Sequence, residues 1–344
     1  MNNILIVGTG ALASLFASRL TQAGYHVTML GTWQDGLNAL REHGVRLVNA
    51  DGNEQRFPVH ATDDPRECMG AKYAIVLVKA WQTERAARQL VECLADDGLA
   101  LTLQNGLGNY EILSQALDSL ATENTEQARE KNSKNSVGSP GTARNFELPS
   151  NSSKSGRCVA ARFSRVALGS TTTGATLLGP GSVRPGGEGI ISLGRHQALG
   201  PLEAALKSAK FNVQVVEDPR SLIWGKLVIN AAINPLTALL KVPNGELLER
   251  PSARVMLGAL AREAAQVAHA ESINLPFDDP VHAAEEVARK TAANHSSMLQ
   301  DVLRGAPTEI DAICGAIVRA AEKHRLSTPV NWVCWQLVRS INGK

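Results

Sequence analysis

Aromatic residues make up only 4% of the 344 residues, and the formal net charge is only +2. So few aromatic side chains argue against a surface on which nucleic-acid bases stack, and the small net charge leaves no broad basic face for a phosphate backbone. Apolar runs also stay short of the ~18–20 residues of a membrane span. We therefore expect neither a nucleic-acid partner nor a membrane partner.

Cysteine is scarce and scattered, and none of the five residues forms a Cys-x-x-Cys pair. This spacing argues against a zinc site or a disulfide framework, so we expect no metal and reduced thiols, as in cytoplasmic proteins. The first residues, MNNILIVGTG, lack the basic stretch and the cleavage site of a signal peptide, which agrees with a cytoplasmic location. The five cysteines are Cys68, Cys93, Cys158, Cys314 and Cys334.

Apolar strand patterns and helix patterns alternate in residues 1–216, whereas residues 217–344 have helical spacing almost throughout. The alternation predicts an α/β domain with a doubly wound, mostly parallel sheet, and the remainder predicts an all-helical second domain. The predicted strands are Ile4–Val7, His26–Leu30, Tyr73–Val78, Leu99–Leu103, Arg165–Leu168, Ala175–Leu178, Ile190–Leu193 and Val213–Val216. The predicted helices are 11–23, 202–210, 221–241, 251–272, 278–300 and 308–324.

Residues 121–157 interrupt the pattern, because they are rich in Ser, Asn and Gly and have no apolar period. Such a composition buries too little surface to offset its ordering entropy, so we predict a disordered surface insertion rather than a third domain. A regulatory loop is the alternative that long insertions sometimes provide.

A Gly-x-Gly-x-x-Ala turn follows the first predicted strand and begins the first predicted helix. In this context Gly8 permits a tight turn, Gly10 lets a pyrophosphate approach the backbone, and Ala13 packs helix against strand. The helix N-terminus adds free N–H groups and partial positive charge. We therefore predict a dinucleotide site; the alternative is a glycine turn that serves packing alone. The residues of this turn are Gly8, Thr9, Gly10, Ala11, Leu12 and Ala13.

The second predicted strand ends at Leu30, and the next residues are Gly-Thr-Trp-Gln, without a carboxylate. A carboxylate there would bind the ribose hydroxyls of NAD and repel the 2′-phosphate of NADP. Its absence at Thr32, together with Lys79 just past a later strand, favours NADP. Lys79 as a solvated loop lysine remains the alternative.

Lys226, Asn230 and Asn234 follow one another at i, i+4 and i+8 on a predicted helix whose other residues are mostly apolar. Polar groups on a buried face need partners, and a buried lysine shifts its pKa readily and suits proton transfer. The alternative is that the amides bond to neighbouring backbone and the lysine reaches solvent. Farther on, Thr308-x-x-Asp311 resembles a capping box, which would make Glu309 a first-turn acid.

These pieces together resemble the ketopantoate reductase (2-dehydropantoate 2-reductase) family, over nearly the whole chain except about 121–160. The segments that carry the resemblance are GTGALA at 8–13, VKAWQT at 78–83, LQNGLGN at 103–109, STTTGATLLGPG at 170–181, WGKLVINAAINPLTALL at 224–240, PNGELL at 243–248 and NHSSMLQDVLRGAPTEID at 294–311. GTGALA alone would not be specific, but the combination is.

The resemblance implies a Rossmann domain, a helical domain like that of 6-phosphogluconate dehydrogenase, and an active site between them. It implies NADPH-dependent reduction of 2-dehydropantoate to pantoate in pantothenate and coenzyme A biosynthesis, by a monomer or homodimer. Lys226 would be the general acid, and Glu309 would contact the substrate or Lys226 and hold the catalytic geometry. Cofactor contacts are implied for Lys79 at the 2′-phosphate, Gln82 and Asn105. Substrate contacts are expected from Asn230, Asn234, Asn244, Asn294 and Ser297.

One residue departs from the family pattern: Thr32 stands where members often have an arginine for the 2′-phosphate, which predicts a weaker NADPH preference. Two other functions remain open from the sequence. One is a related reductase that acts on another 2-keto acid, since the same fold and lysine would serve. The other is a non-catalytic NADP-binding sensor, against which the intact set of polar residues argues.

Overall fold

An eight-stranded sheet forms the centre of the first part of the chain. The computed structural model describes residues 3–118 and 164–341, so the predicted insertion at 121–157 lies outside the described residues. The strands are β1 (Asn3–Val7), β2 (His26–Leu30), β3 (Val45–Val48), β4 (Glu54–Phe57), β5 (His60–Thr62), β6 (Ala71–Val76), β7 (Leu94–Thr102), β8 (Val166–Thr171), β9 (Ala175–Gly179), β10 (Ser182–Pro185), β11 (Ile190–Gly194) and β12 (Asn212–Val216). The order is β5-β2-β1-β6-β7-β8-β11-β12, and of these described strands only the neighbours β8 and β11 are antiparallel. The predicted α/β class with a mostly parallel sheet is confirmed.

The sheet is covered on both faces, as the continuous apolar run in β1 predicts. Ile4 and Ile6 belong to a core cluster on one face, and Leu5 and Val7 belong to a second cluster on the other. Because side chains alternate along a strand, β1 contributes to both cores. This places the end of β1, and the glycine turn after it, in the middle of the sheet edge where ligands bind in such folds.

Helices surround this sheet and make up the described part of the chain after β12. They are α1 (Ala11–Gln22), α2 (Gln34–His43), α3 (Thr83–Cys93), α4 (residues 109–118), α5 (Gly200–Ser208), α6 (Arg220–Leu240), α7 (Glu246–Glu249), α8 (Pro251–Ala270), α9 (Pro280–Lys290), α10 (Ser297–Leu303), α11 (Cys314–Lys323) and α12 (Pro329–Ile341). The α6 helix is long and apolar enough to span a membrane, but 67% of its apolar window is buried. The helical core accounts for this apolar sequence.

A second sheet, with the order β4-β3-β10-β9, lies beside α1 and was not predicted as a unit. Its partners come from far apart in the chain, because β3 pairs in parallel with β10. Phe16 and Leu20 of α1 share a core cluster with Val45 of β3 and Val183 of β10. The short, mostly exposed strand Glu54–Phe57 carries almost no apolar pattern, which explains why the sequence does not predict it.

Two predicted helices have different bounds in the structure. The pattern over 278–300 is two helices, α9 and α10, because Ser296 caps a new helix by accepting from the N–H of Leu299. The predicted helix 308–324 begins only at Cys314, so the Thr308–Asp311 capping box is wrong. Residues 309–313 instead form a turn, which leaves Glu309 off any regular helix.

The four cysteines in the described residues are free and buried. Burial raises the pKa of Cys68 to about 11 and that of Cys334 to about 11, so both thiols stay protonated near neutral pH and act as small apolar groups.

Candidate active site

The turn between β1 and α1 leaves room for a ligand at the backbone. Gly8 has φ +133°, and a Cβ there would lie 3.1 Å from the backbone carbonyl of Leu77. A Cβ at Gly10 would meet no atom within 4 Å, so the space beside it is open. Gly10 is also the N-cap residue of α1 and has no side chain to offer the first N–H groups of that helix. The turn therefore has a tight inner side and an open side with uncommitted donors.

The other residues of the turn pack it onto the sheet. Ala13 is fully buried, and Leu12 packs against the same core cluster. The Thr9 side chain lies against Gly31, where a Cβ would come within 2.6 Å of the threonine methyl carbon. The end of β2 is thereby held close to the turn.

A buried polar network fixes the loops that follow β6 and β7. Thr83 donates from its hydroxyl to Asn109 Oδ1 at 2.7 Å, and Asn109 Nδ2 donates to the carbonyl of Asn105 at 2.9 Å. Gln104 Nε2 donates to the carbonyl of Val78 and to the Thr83 hydroxyl. These bonds position Asn105 and the segment after Val78 at the carboxyl edge of the sheet.

Lys79 joins the sheet domain to the helical domain. Its Nζ lies 2.7 Å from Asp301 Oδ2 and 3.4 Å from Glu309 Oε2, and both carboxylate side chains are buried. Burial alone would lower the pKa of Lys79, but the Glu309 and Asp301 carboxylates outweigh it and hold the pKa above its usual value. Lys79 is thus a cation shared between two carboxylates, with Arg304 as a second partner of Asp301 at 3.0 Å.

Glu309 makes further contacts across the same boundary. Its Oε1 accepts from the N–H of Ala80 at 3.2 Å, and its Oε2 accepts from Asn105 Nδ2 at 3.3 Å. Close by, the N–H of Leu107 donates to the carbonyl of Ala312, and a Cβ at Gly106 would lie 2.5 Å from that carbonyl oxygen. The 309–312 turn therefore packs directly onto the Asn105 loop.

Lys226 projects from the buried helix α6 toward the end of β8. Its Nζ donates to the carbonyl of Thr171 at 2.6 Å. Burial lowers the pKa of Lys226 to about 8, although the Glu309 carboxylate raises it. An ammonium with such a pKa is mostly charged at pH 7 and still gives up its proton readily, which is the property of a proton donor near neutral pH.

The predicted substrate residues occupy three places in the helical domain. Asn230 and Asn234 follow Lys226 on α6, half-buried and buried respectively. Asn244 donates from Nδ2 to the hydroxyl of Thr291 at 2.8 Å, and its buried Oδ1 has no partner in the part of the chain that the structure describes. The backbone N–H of Asn244 donates to the carbonyl of Asn294, so these two predicted residues are adjacent. Asn294 and Ser297 are exposed, with Ser297 as the first residue of α10, which packs on α6.

Thr32 has a partner that the sequence does not reveal. Arg85, on the first turn of α3, donates from Nη1 to the Thr32 hydroxyl at 2.6 Å. Gln82 precedes α3 as its N-cap residue and is half-buried.

Two residues of the site, Asp301 and Arg85, were not predicted. Asp301 had a signal, since it is an acid within the apolar stretch Met298–Leu303 and is eight residues before Glu309. Arg85 had none, because only the folded chain brings α3 to the end of β2.

Comparisons with known proteins show which family this chain is similar to. The family model described as "Ketopantoate reductase PanE/ApbA" matches residues 4–139, and the model of its C-terminal part matches residues 218–342. A 2-dehydropantoate 2-reductase of Halobacterium salinarum is 31% identical over 98% of this chain and 97% of its own length. A 2-dehydropantoate 2-reductase of Archaeoglobus fulgidus is 32% identical over 100% of this chain and 99% of its own length.

Solved structures show the same fold. A ketopantoate reductase from Ralstonia eutropha JMP134 superposes with a TM-score of 0.78 and 26% identity, covering 99% of this chain and 98% of its own. A D-mandelate dehydrogenase with NADH and anilino(oxo)acetate superposes with a TM-score of 0.81, with the same shares covered. Its 24% identity shows the shared fold.

Proposed function

The chain belongs to the ketopantoate reductase family, and we propose that it reduces 2-dehydropantoate to pantoate with NADPH, with Lys226 as the proton donor. The observation that carries the proposal is the Lys226 ammonium on α6, held by the Thr171 carbonyl, with a pKa of about 8 and within electrostatic reach of the Glu309 carboxylate, which contacts the sheet domain. This reaction would serve pantothenate and coenzyme A biosynthesis. A cytoplasmic location and a monomer or homodimer stay predictions.

The β1–α1 turn fits a dinucleotide. Gly8 provides the close approach, the open side of Gly10 leaves space for phosphate, and the first turn of α1 offers N–H groups and partial positive charge. Thr9, Ala11, Leu12 and Ala13 complete this turn. When bound, the nicotinamide supplies the hydride that reduces the keto carbon.

Lys226 stabilises the charge that develops on the carbonyl oxygen and then delivers the proton. Before substrate arrives, its Nζ is held by the Thr171 carbonyl at 2.6 Å, which fixes the direction of the side chain. Proton donation of this kind contributes roughly 10²–10⁴-fold to rate. The low-dielectric surroundings strengthen the attraction between an ammonium and an oxyanion.

Glu309 holds the two sides of the cleft together and favours the protonated form of Lys226. Its carboxylate raises the pKa of Lys226 and so opposes the effect of burial. It also accepts from Asn105 and Ala80, which joins the helical domain to the cofactor side. We assign Asn105 and Gln82 to binding of the cofactor. Lys79, which Asp301 and Glu309 hold, is assigned both to the contact between the two domains and to binding of the cofactor.

The substrate residues are proposed to bind the carboxylate and hydroxyl of the keto acid. The unpartnered Oδ1 of Asn244 is a ready acceptor for the substrate hydroxyl. Exposed Asn294 and Ser297 are free to reorient toward a ligand, and Asn230 and Asn234 extend the polar face of α6. We place the domain boundary between residues 216 and 217, where β12 ends before α6 begins.

The test is NADPH oxidation at 340 nm with 2-dehydropantoate and a panel of other 2-keto acids. We expect kcat/KM above about 10⁴ M⁻¹s⁻¹ for 2-dehydropantoate, and a fall in kcat of at least about 10²-fold in Lys226→Ala with NADPH binding retained. Lys207→Ala, an exposed lysine on α5, is the control. If the protein turned over a different 2-keto acid and not 2-dehydropantoate, the proposed substrate would be wrong. If it bound NADPH and turned over none of the keto acids, the proposed enzymatic function would be wrong.

A further inference from the structure

The end of β2 carries an arrangement of charges that the proposed function leaves unexplained. In dinucleotide-binding folds the adenosine ribose lies at this strand end, where an acid recognises NAD and a nearby arginine accommodates the 2′-phosphate of NADP. In this chain Thr32 follows the strand end, and threonine is neither an acid nor an arginine. The sequence alone therefore predicts a preference for NADPH that Thr32 weakens.

The folded chain brings a guanidinium to this position from a different element. Arg85 Nη1 donates to Thr32 Oγ1 at 2.6 Å, across 53 residues of sequence. The contact holds the planar fork of Arg85 beside the strand end. A hydroxyl that accepts one hydrogen bond keeps its own proton for another acceptor. Thr32 and Arg85 together thus present a hydroxyl donor and guanidinium N–H donors at one point.

The charge of Arg85 is not neutralised within the described residues. Among residues 3–118 and 164–341 no carboxylate lies within ion-pair distance of Arg85, and its buried Nε finds no hydrogen-bond partner there. Neighbouring cations differ in this respect, since Arg41 pairs with Asp63 and Arg66 pairs with Asp64. Burial lowers the pKa of Arg85. The ordinary pKa of arginine is so high that the guanidinium stays charged at neutral pH all the same. A half-buried, unpaired guanidinium is unfavourable in the free protein and is satisfied when an anion arrives.

Lys79, the other cation considered for the 2′-phosphate, is placed differently. Asp301 and Glu309 already surround its ammonium, so its positive potential toward a further anion is reduced. Arg85 has the planar, five-donor geometry that binds phosphate oxygens in pairs.

We propose that Arg85, anchored on Thr32, recognises the 2′-phosphate of NADP(H) and sets the cofactor preference of this chain. The inference rests on the proposed function for the presence of a nicotinamide cofactor. Thr32 by itself implied a weakened preference for NADPH, and in this proposal Arg85 on α3 restores that preference. Arg85 is a specificity-determining residue, and it takes no part in hydride or proton transfer.

The test measures binding in the absence of substrate, through the change in nicotinamide fluorescence on titration with NADPH or NADH. Arg85→Gln is expected to weaken the affinity for NADPH by about 10- to 100-fold, because a charge-assisted hydrogen bond is lost. The affinity for NADH should stay within about twofold of the wild-type value. Arg85→Lys should recover part of the loss because the charge returns without the fork. Arg88→Gln, one turn farther along α3 and exposed, is the matched control.

A second measurement separates phosphate recognition from general damage to the fold. Isothermal titration with 2′,5′-ADP and with 5′-ADP should show the wild type preferring the former, and Arg85→Gln should abolish that difference. Equal weakening of NADPH and NADH, or no weakening of either, would overturn the proposal. So would a wild-type protein that binds both cofactors equally. Failure of the proposed reduction is a different result, namely no turnover of 2-dehydropantoate while Arg85 still discriminates between NADPH and NADH.

Discussion

Replacing Lys226 with methionine should make the folded protein more stable at neutral pH. Methionine has a similar length and no charge, and the apolar residues on the same face of α6, Leu222, Ile223 and Ile229, are half-buried. A pKa of about 8 against an ordinary 10.5 means that the charged form of Lys226 costs roughly 3 kcal/mol of folding free energy. The variant also loses the bond to the Thr171 carbonyl, worth about 1 kcal/mol. The expected net gain is about 2 kcal/mol, or about 4 °C in Tm for a chain of this size.

The gain depends on pH in a defined direction. Below pH 8 Lys226 is protonated in both the folded and the unfolded chain, so the wild type carries the full cost of the buried charge. Between pH 8 and pH 10.5 the folded chain has released the proton and the unfolded chain still holds it, so wild-type stability rises with pH. The advantage of Lys226→Met should therefore shrink across this window and reverse above it, where only the loss of the Thr171 bond remains.

The assay is thermal unfolding of the wild type, Lys226→Met and the surface control Lys207→Met, at steps from pH 7 to pH 10 without cofactor. The control should follow the wild type at every pH, because Lys207 is exposed and its ion pair is with Glu203 on its own helix. A Lys226→Met protein less stable than the wild type at pH 7, or an advantage as large at pH 10 as at pH 7, would refute the reasoning.

Three further changes test other contacts of the site. Glu309→Gln should lower the pKa of Lys226, because the carboxylate raises it, and the alkaline fall of kcat/KM should move to lower pH in a pH–rate profile. Gly8→Ala should weaken NADPH binding at least about tenfold in a fluorescence titration, because a Cβ at φ +133° is strained and crowds the turn; unchanged affinity would contradict this. Asp301→Asn should cost about 1–3 kcal/mol in urea unfolding at pH 7, because Lys79 loses the nearer of its two carboxylates; a neutral effect would show that the pair contributes nothing.

The fold was predictable where the apolar pattern is strong. The strand His26–Leu30 and the helix near 221–241 have almost the predicted bounds, because burial on both faces of a strand and along a core helix leaves a clear pattern. The pattern fails for Glu54–Phe57, whose side chains are mostly solvated. It also fails at Thr308, where the polar residues serve a turn whose Glu309 reaches another domain.

Most members of the candidate site, but not Asp301 and Arg85, could be proposed from the sequence, whereas their pairing could not. Motif resemblance identified Lys226, Glu309 and Asn105, and the structure brings Glu309 into contact with Asn105 and within electrostatic reach of Lys226. Sequence spacing gave no sign that Lys79 bonds to Asp301, 222 residues away. Such partners depend on how the two domains dock, and no local period encodes docking.

The contact between Gly106 and Ala312 has a consequence for exchanging domains between relatives. A Cβ at position 106 would meet the carbonyl of residue 312, and the Leu107 N–H bonds to that same carbonyl. A chimera that joins the sheet domain of one reductase to the helical domain of another must therefore keep the glycine and the small partner as a matched pair. Crossover points chosen only from the linker between β12 and α6 take these two positions from different parents, and a residue larger than glycine at 106 would then press against the carbonyl of residue 312.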